Sequence, residues 1–311
     1  MTPFYDLEQT DMNKSNELNQ RFGIKDTVEF REGPGGLTMI DVSTPEADAT
    51  ITPQGAQVLN WVPKNEHPVI WLSPAAKYVP NKSVRGGIPI CWPWFGPHES
   101  HADFPAHGIA RTSQWQVNSV VRSDDGHVRV VFTLPQTVDT GAYWPYVSPL
   151  QYTVTIGDSL ELELFTRNES ETDITLGEAL HTYFAVSDVR RAKIGGLHGH
   201  WYLDKVDAGQ RKEQNGDVSI NSEVDRIYLD TGSQCVIEDS GWNRRIRIET
   251  QGSRSTVVWN PWIDKSGILG DLGDEGYLHM LCVESANAAD NVVIVPAGGE
   301  HRLWVKYQIE N

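Results

Sequence analysis

The chain has 311 residues, enough for two average domains, although all-β folds often run past 200 residues as one unit. Hydrophobic residues make up 39% of it, with 11 Trp and 10 Tyr, which excludes a disordered polypeptide and allows a large core. The net charge of −16 repels nucleic acid and anionic membranes, so neither is expected as a partner, and an anionic ligand would need a local cluster of Arg or Lys.

Met1 to Gln20 is polar and acidic, with no apolar run of signal-peptide type. No stretch approaches the 18 apolar residues of a membrane span. Cys91, Cys235 and Cys282 are far apart, odd in number and free of any CxxC pair, which argues against a disulfide framework and for a reducing compartment. A cytoplasmic location is expected.

Phe4, Leu7, Met12, Leu18 and Phe22 have loose helical spacing, so residues 1–26 read as a short helix or arm. From Thr27 the period becomes two. Thr27 to Arg31 and Leu37 to Val42 alternate around the turn Gly33-Pro34-Gly35-Gly36. Further strands are expected at Ala49 to Thr52, Gln57 to Val62, Val69 to Leu72, Trp115 to Val121, Val128 to Leu134, Tyr152 to Ile156, Leu160 to Arg167 and Ile174 to Leu180. Later ones are Ile227 to Leu229, Cys235 to Glu238, Arg245 to Glu249, Thr256 to Trp259, His279 to Val283, Val292 to Val295 and Arg302 to Ile309. Short strands at this spacing, with no βα alternation and no linker, predict one all-β sandwich or barrel over residues 27–311.

Chemistry concentrates in a few stretches. Val84 to His98 is too rich in Gly, Pro and Trp for an ordinary strand. Trp92, Trp94 and Phe95 offer flat faces on which a sugar could lie, and Gly86 and Gly87 allow a close backbone approach to a ligand. A core loop closing the sandwich is the equal alternative. Arg85 and Arg111 flank this loop, and arginine's planar fork suits a phosphate. The spacing of His98, His101 and His107 matches no fixed metal-ligand motif, so no metal is expected. His181 follows an apolar run, where a histidine is more often a satisfied core group than a catalyst. Glu284 stands inside Leu281-Cys282-Val283-Glu284-Ser285, where a carboxylate is costly unless partnered or used. Asp225 reads equally as a turn residue, and Asn260-Pro261-Trp262 as a strand end. A histidine and a carboxylate meeting in a cleft would give and take protons on opposite sides of one small molecule.

Taken in order, Arg85-Gly-Gly-Ile-Pro with Cys91-Trp92-Pro93, His107-Gly with Arg111, His181-Thr-Tyr-Phe, Asp225-Arg-Ile-Tyr, Trp259-Asn-Pro-Trp and Cys282-Val-Glu284 resemble the glucose-6-phosphate 1-epimerases, a branch of the aldose 1-epimerase family. The likeness runs from about Thr27 to Ile309. It implies a galactose-mutarotase-like β-supersandwich with few short helices and a site on one concave face. It also implies interconversion of the α and β anomers of hexose 6-phosphates by ring opening, without a cofactor. His181 would be the general acid, protonated at the start, and Glu284 the ionised general base. Arg85 and Arg111 would bind substrate at its phosphate, Asp225 would hold sugar hydroxyls, and His107 would lie beside them. One departure is Ala106, where some members carry Gln, so the preferred hexose is open. The expected partner is a small sugar phosphate and the expected state a monomer. Competing readings are an aldose 1-epimerase for free sugars, a non-catalytic carbohydrate-binding sandwich and a glycoside hydrolase, the last needing two carboxylates such as Asp225 and Glu284 across one bond.

Overall fold

The computed structural model describes residues 15–310. A helix over residues 15–22 packs Leu18 and Phe22 on the core. The expected apolar points Phe4, Leu7 and Met12 lie outside the described residues.

Antiparallel sheets follow. One has four strands, Val28–Glu32, Thr38–Ser43, Ala47–Thr52 and Gln57–Pro63, in sequence order. A second has nine, in the spatial order Val218–Ser219, Ala192–Gly195, Gln234–Asp239, Arg244–Gln251, Glu300–Glu310, Leu160–Arg167, Leu150–Ile156, Val128–Leu134 and Gln116–Arg122. The third runs Gln210–Glu213, Trp201–Asp204, Val224–Leu229, Ser255–Asn260, Met280–Asn287, Glu178–Leu180 and Ile90–Cys91, with Tyr183–Ala185 also paired to Met280–Asn287. A bridge at Val58–Ile88 joins the four-stranded sheet to the segment before Ile90–Cys91, and bridges at Ile70–Phe184 and Leu72–Gly86 lay residues 70–72 beside Tyr183–Ala185 and Gly86.

One apolar cluster lies between these layers. It takes Tyr152, Leu162, Ile246 and Tyr307 from the nine-stranded sheet, Val258, Leu281 and Val283 from the third, and Ile40 and Trp61 from the first. Leu160–Arg167 shows why the sequence folds this way: Leu160, Leu162 and Leu164 are buried while Glu161 and Glu163 between them are not. Each such leucine contributes about 1.5–3 kcal/mol of burial. The architecture is therefore the expected sandwich.

Two departures have local causes. Ile174 to Leu180 reads as one strand but is two: Ile174–Leu176 pairs with Val293–Val295, and Glu178–Leu180 pairs with Met280–Asn287. The chain steps between sheets at Gly177, where a Cβ would come within 2.9 Å of the Phe95 nitrogen. Val69 to Leu72 forms only isolated bridges. Gln210–Glu213, a strand the alternation did not announce, is short, polar and at a sheet edge, where charge guards against foreign pairing.

Candidate active site

Met280–Asn287 is buried from end to end, so its two faces must be told apart by what they touch. Leu281 and Val283 enter the main core, whereas Met280, Cys282 and Ala286 pack on the opposite face. Glu284 shares their parity and points that way. Register then builds the site. Asp225 pairs with Trp259, Trp259 with Cys282, and Cys282 with Tyr183, making a row across four strands. Glu284 stands in the next row, opposite Val257.

His181 lies in the two-residue break between Glu178–Leu180 and Tyr183–Ala185. Its backbone nitrogen donates to the Pro89 carbonyl at 2.9 Å. Thr182 points to the core side and meets the Tyr307 hydroxyl at 2.6 Å, which turns His181 toward the site face. There its ring stacks on Tyr183, 5.0 Å away and within 10° of parallel. Its Nδ1 lies 3.4 Å from Glu284 Oε1, with the side chains 12% and 1% exposed. Nδ1 is itself buried, so the exposed part of the ring is its other edge, open to the cleft.

The two groups therefore meet, but side by side on one wall and not on opposite sides of a ligand. That suits a pyranose, whose ring oxygen and anomeric hydroxyl are both bonded to C1. The protonation expectation also changes. Burial, with His107, Arg111 and Arg85 nearby, pushes the His181 pKa well below its usual 6.5. Burial, reinforced by Asp225 and opposed by Arg111, pushes Glu284 well above 4.5. The resting pair thus favours neutral imidazole and protonated carboxyl over imidazolium and carboxylate. Both forms carry one proton between them. The charged form becomes the stronger acid and stronger base because burial disfavours it.

His107 faces His181 edge-on, with ring centroids 5.8 Å apart. Its Nδ1 accepts from the Gly96 backbone N–H at 3.3 Å, which leaves the ring proton on Nε2. Burial and Arg111 push its pKa down to about 3, so it is a neutral donor and not a second acid. Arg111 donates from Nη2 to the Ala106 carbonyl at 2.8 Å. Arg85 donates from Nε to Asp271 at 2.9 Å and from Nη1 to the Tyr183 hydroxyl at 3.1 Å. Arg85, Arg111 and Tyr183 line one cavity of about 230 Å³. Asp225 is on the same sheet face, raised above the usual carboxylate pKa by burial, with Lys265 Nζ 3.9 Å away.

The aromatic loop divides differently from expectation. Trp92 is a core residue whose indole N–H donates to Thr166 at 3.1 Å. Trp94 donates to the Pro105 carbonyl and packs on His98 and Phe104. Of the three rings only that of Phe95 packs on the ring of a candidate site residue, His107, with centroids 4.9 Å apart. The aromatic plate beside His181 and Glu284 is Trp259, 6.1 Å from His181, which closes an expected strand and opens the family-like run Trp259-Asn-Pro-Trp but was given no role from sequence. Gly86 and Gly87 admit neighbouring backbone and not a ligand: an added Cβ would lie 2.7 Å from the Trp71 oxygen and 2.3 Å from the Val58 oxygen, at φ +105° and +65°. Gly87→Ala should therefore destabilise by more than about 2 kcal/mol. A denaturant midpoint and m-value matching wild type would contradict this.

His98 and His101 cluster with Phe104, apart from His107. Among the described residues the donor group compact enough for a metal is His181, Cys282 and Glu284, whose ligand atoms lie within 4.8 Å of one another. Burial pushes the Cys282 thiol well up. Missed entirely by sequence reasoning were Asp271 and the hydroxyl of Tyr183, which act through a partner 186 and 98 residues away.

The aldose 1-epimerase family profile matches residues 39–308. An Escherichia coli protein named "Putative glucose-6-phosphate 1-epimerase" is 37% identical over 82% of this chain and 84% of its own. One of the same name from Cenchrus ciliaris is 34% identical over 88% and 85%. The crystal structure of a "putative mutarotase" from Salmonella typhimurium superposes with a TM-score of 0.87 at 30% identity, covering 95% of this chain and 99% of the other. The crystal structure of a "Putative aldose 1-epimerase" from Escherichia coli K12 shares the fold at 17% identity, TM-score 0.67, covering 88% of this chain and 99% of the other. This galactose-mutarotase-like sandwich is a member of the aldose 1-epimerase family.

Proposed function

We propose that the protein interconverts the α and β anomers of hexose 6-phosphates, with His181 as general acid and Glu284 as general base. The observation that carries this is the buried 3.4 Å contact between the two groups on the cleft wall. Glu284 takes the proton of the anomeric hydroxyl while His181 gives one to the ring oxygen. The C1–O5 bond breaks and the open aldehyde forms. Rotation about C1–C2 presents the other carbonyl face, and closure reverses both transfers. In the opening step the pair passes from imidazolium and carboxylate to imidazole and carboxylic acid, the form that burial prefers. The resting neutral pair reaches the competent charged form by moving its one proton from Glu284 to His181, and ring closure regenerates that form.

His107 Nε2–H donates to the sugar, Asp225 accepts from its hydroxyls, and Trp259 and Tyr183 wall the ring. The phosphate sits in the cavity lined by Arg85 and Arg111, away from C1, which leaves the anomeric end free to rotate. All these residues come from one chain, so a monomer suffices. The same names borne by the relatives support the phosphorylated substrate. The test is NMR exchange on freshly dissolved α-glucose 6-phosphate and α-glucose. Equilibration is expected to accelerate far more for the phosphate. Equal acceleration would favour a free-sugar aldose 1-epimerase, and binding without acceleration a carbohydrate-binding sandwich.

A further inference from the structure

We infer that Lys82 is a third cation of the phosphate cavity and selects the dianionic form of the substrate. The inference rests on the sugar-phosphate reading above and adds a residue to it. Lys82 lines the same 230 Å³ cavity as Arg85 and Arg111. Formal charge shows why a third cation matters. Arg85 contributes +1 but is paired with Asp271 at 2.9 Å, which cancels it. Arg111 adds +1, giving +1 without Lys82 and +2 with it. A phosphate monoester above its second pKa of about 6 carries close to −2. Among the described residues Lys82 has no carboxylate within salt-bridge distance, so its ammonium is not already spent.

The loop bearing it is held in place from beneath. Gln54, 5% exposed, donates to the carbonyls of Val79 at 3.0 Å and Lys82 at 2.6 Å, and accepts from the Asn81 N–H at 2.7 Å. Gln57, fully buried, donates to Val84 at 2.9 Å and Gly86 at 2.7 Å, and accepts from the Val84 N–H. A buried amide costs free energy unless its hydrogen bonds are made. Here both are satisfied by the one segment that carries Lys82 and Arg85. The backbone on either side of the cavity is thereby fixed before substrate arrives. Lysine acts as a mobile point charge on that frame, while the arginines supply directional forks.

The experiment compares Lys82→Met, Lys82→Arg and Arg85→Ala on α-glucose 6-phosphate and α-glucose, from about pH 5 to about pH 8 across the second phosphate ionisation. Lys82→Met is expected to raise KM for the phosphate about five- to tenfold relative to its effect on glucose. The wild-type fall in KM as the phosphate becomes dianionic should flatten in Lys82→Met and return in Lys82→Arg. The Lys82 difference should shrink in high salt. If Arg85→Ala discriminates against the phosphate but Lys82→Met does not, or the pH dependence is unchanged, the role of Lys82 is overturned and the cavity reading stands. If neither variant discriminates, the sugar-phosphate reading itself falls.

Discussion

Glu284→Gln is expected to slow anomer exchange by about 10²–10⁴-fold and, at the same time, to make the protein more stable. Glutamine keeps the shape of the side chain but can neither take nor carry the proton. The stability change follows from the raised pKa. Above 4.5 the unfolded chain loses this proton while the folded protein keeps it. The folded-state pKa therefore contributes stability that is complete below 4.5 and lost as pH rises toward the folded value, by up to about 1.4 kcal/mol per pH unit. Glutamine has no such loss, so the gain in Tm over wild type should grow with pH. His181→Asn should show the same loss of rate with the opposite pH trend. Its folded pKa lies below 6.5, so wild type loses stability as pH falls from 6.5 toward that value, and the variant gains most in acid. The double variant should be no slower than the worse single, because the two groups work as one unit. Thermal scans across pH and NMR exchange read all of this. A variant with wild-type rate, or two variants whose stability gains follow pH in the same direction, would falsify the assignment.

How much of this was legible depends on which face a residue occupies. Leu160–Arg167 announces its faces by alternation, because one side is wet. Met280–Asn287 does not, since both sides are buried, and there Glu284 stood out only as a carboxylate in apolar company. The same rule applies with equal force to Glu178, also fully buried. Glu178 shares parity with Leu180, on the core side, and is met by His301 at 2.7 Å and Asn287 at 2.9 Å. It is held within the sandwich, while Glu284 faces the cleft. Nothing local in the two sequences separates them; the registers Glu178–Asn287 and Val257–Glu284 do.

Trp92 and Trp259 make the same point with aromatic rings. Ile90–Cys91 is only two residues long, so no period could show that Cys91 faces the site and Trp92 the core. Trp259 sits in a longer strand, but its partners Asp225 and Cys282 are 34 and 23 positions away, by difference of their numbers. The arginines were visible as chemistry and invisible as geometry. Arg85 sits beside Asp271 because the segment after the helix Trp262–Leu269 returns over the sheet face, where the Asp271 carbonyl also accepts from Ser73.

Arg85→Ala should lower kcat/KM for glucose 6-phosphate by about 10- to 100-fold, the worth of one or two charge-assisted hydrogen bonds, with a much smaller effect on glucose. Two causes act together. The guanidinium has five N–H donors, of which Asp271 and Tyr183 occupy two, so the remainder are free to meet a phosphate. Its removal also leaves the Asp271 carboxylate, 25% exposed, as an uncompensated negative charge beside the cavity. The second cause separates phosphate binding from scaffolding. Removing Asp271 as well should restore part of the phosphate activity lost in Arg85→Ala, because the repulsion goes with it. Arg85→Lys should fall between wild type and alanine, keeping the charge and losing the fork. A scaffolding role predicts another pattern. Arg85 would then act by bracing Tyr183, on which the His181 ring is stacked. Both sugars would lose rate equally, Asp271→Ala would give no recovery, and Tyr183→Phe would reproduce the defect. Side-by-side rates for the two sugars in these four variants choose between an anion anchor and a strut.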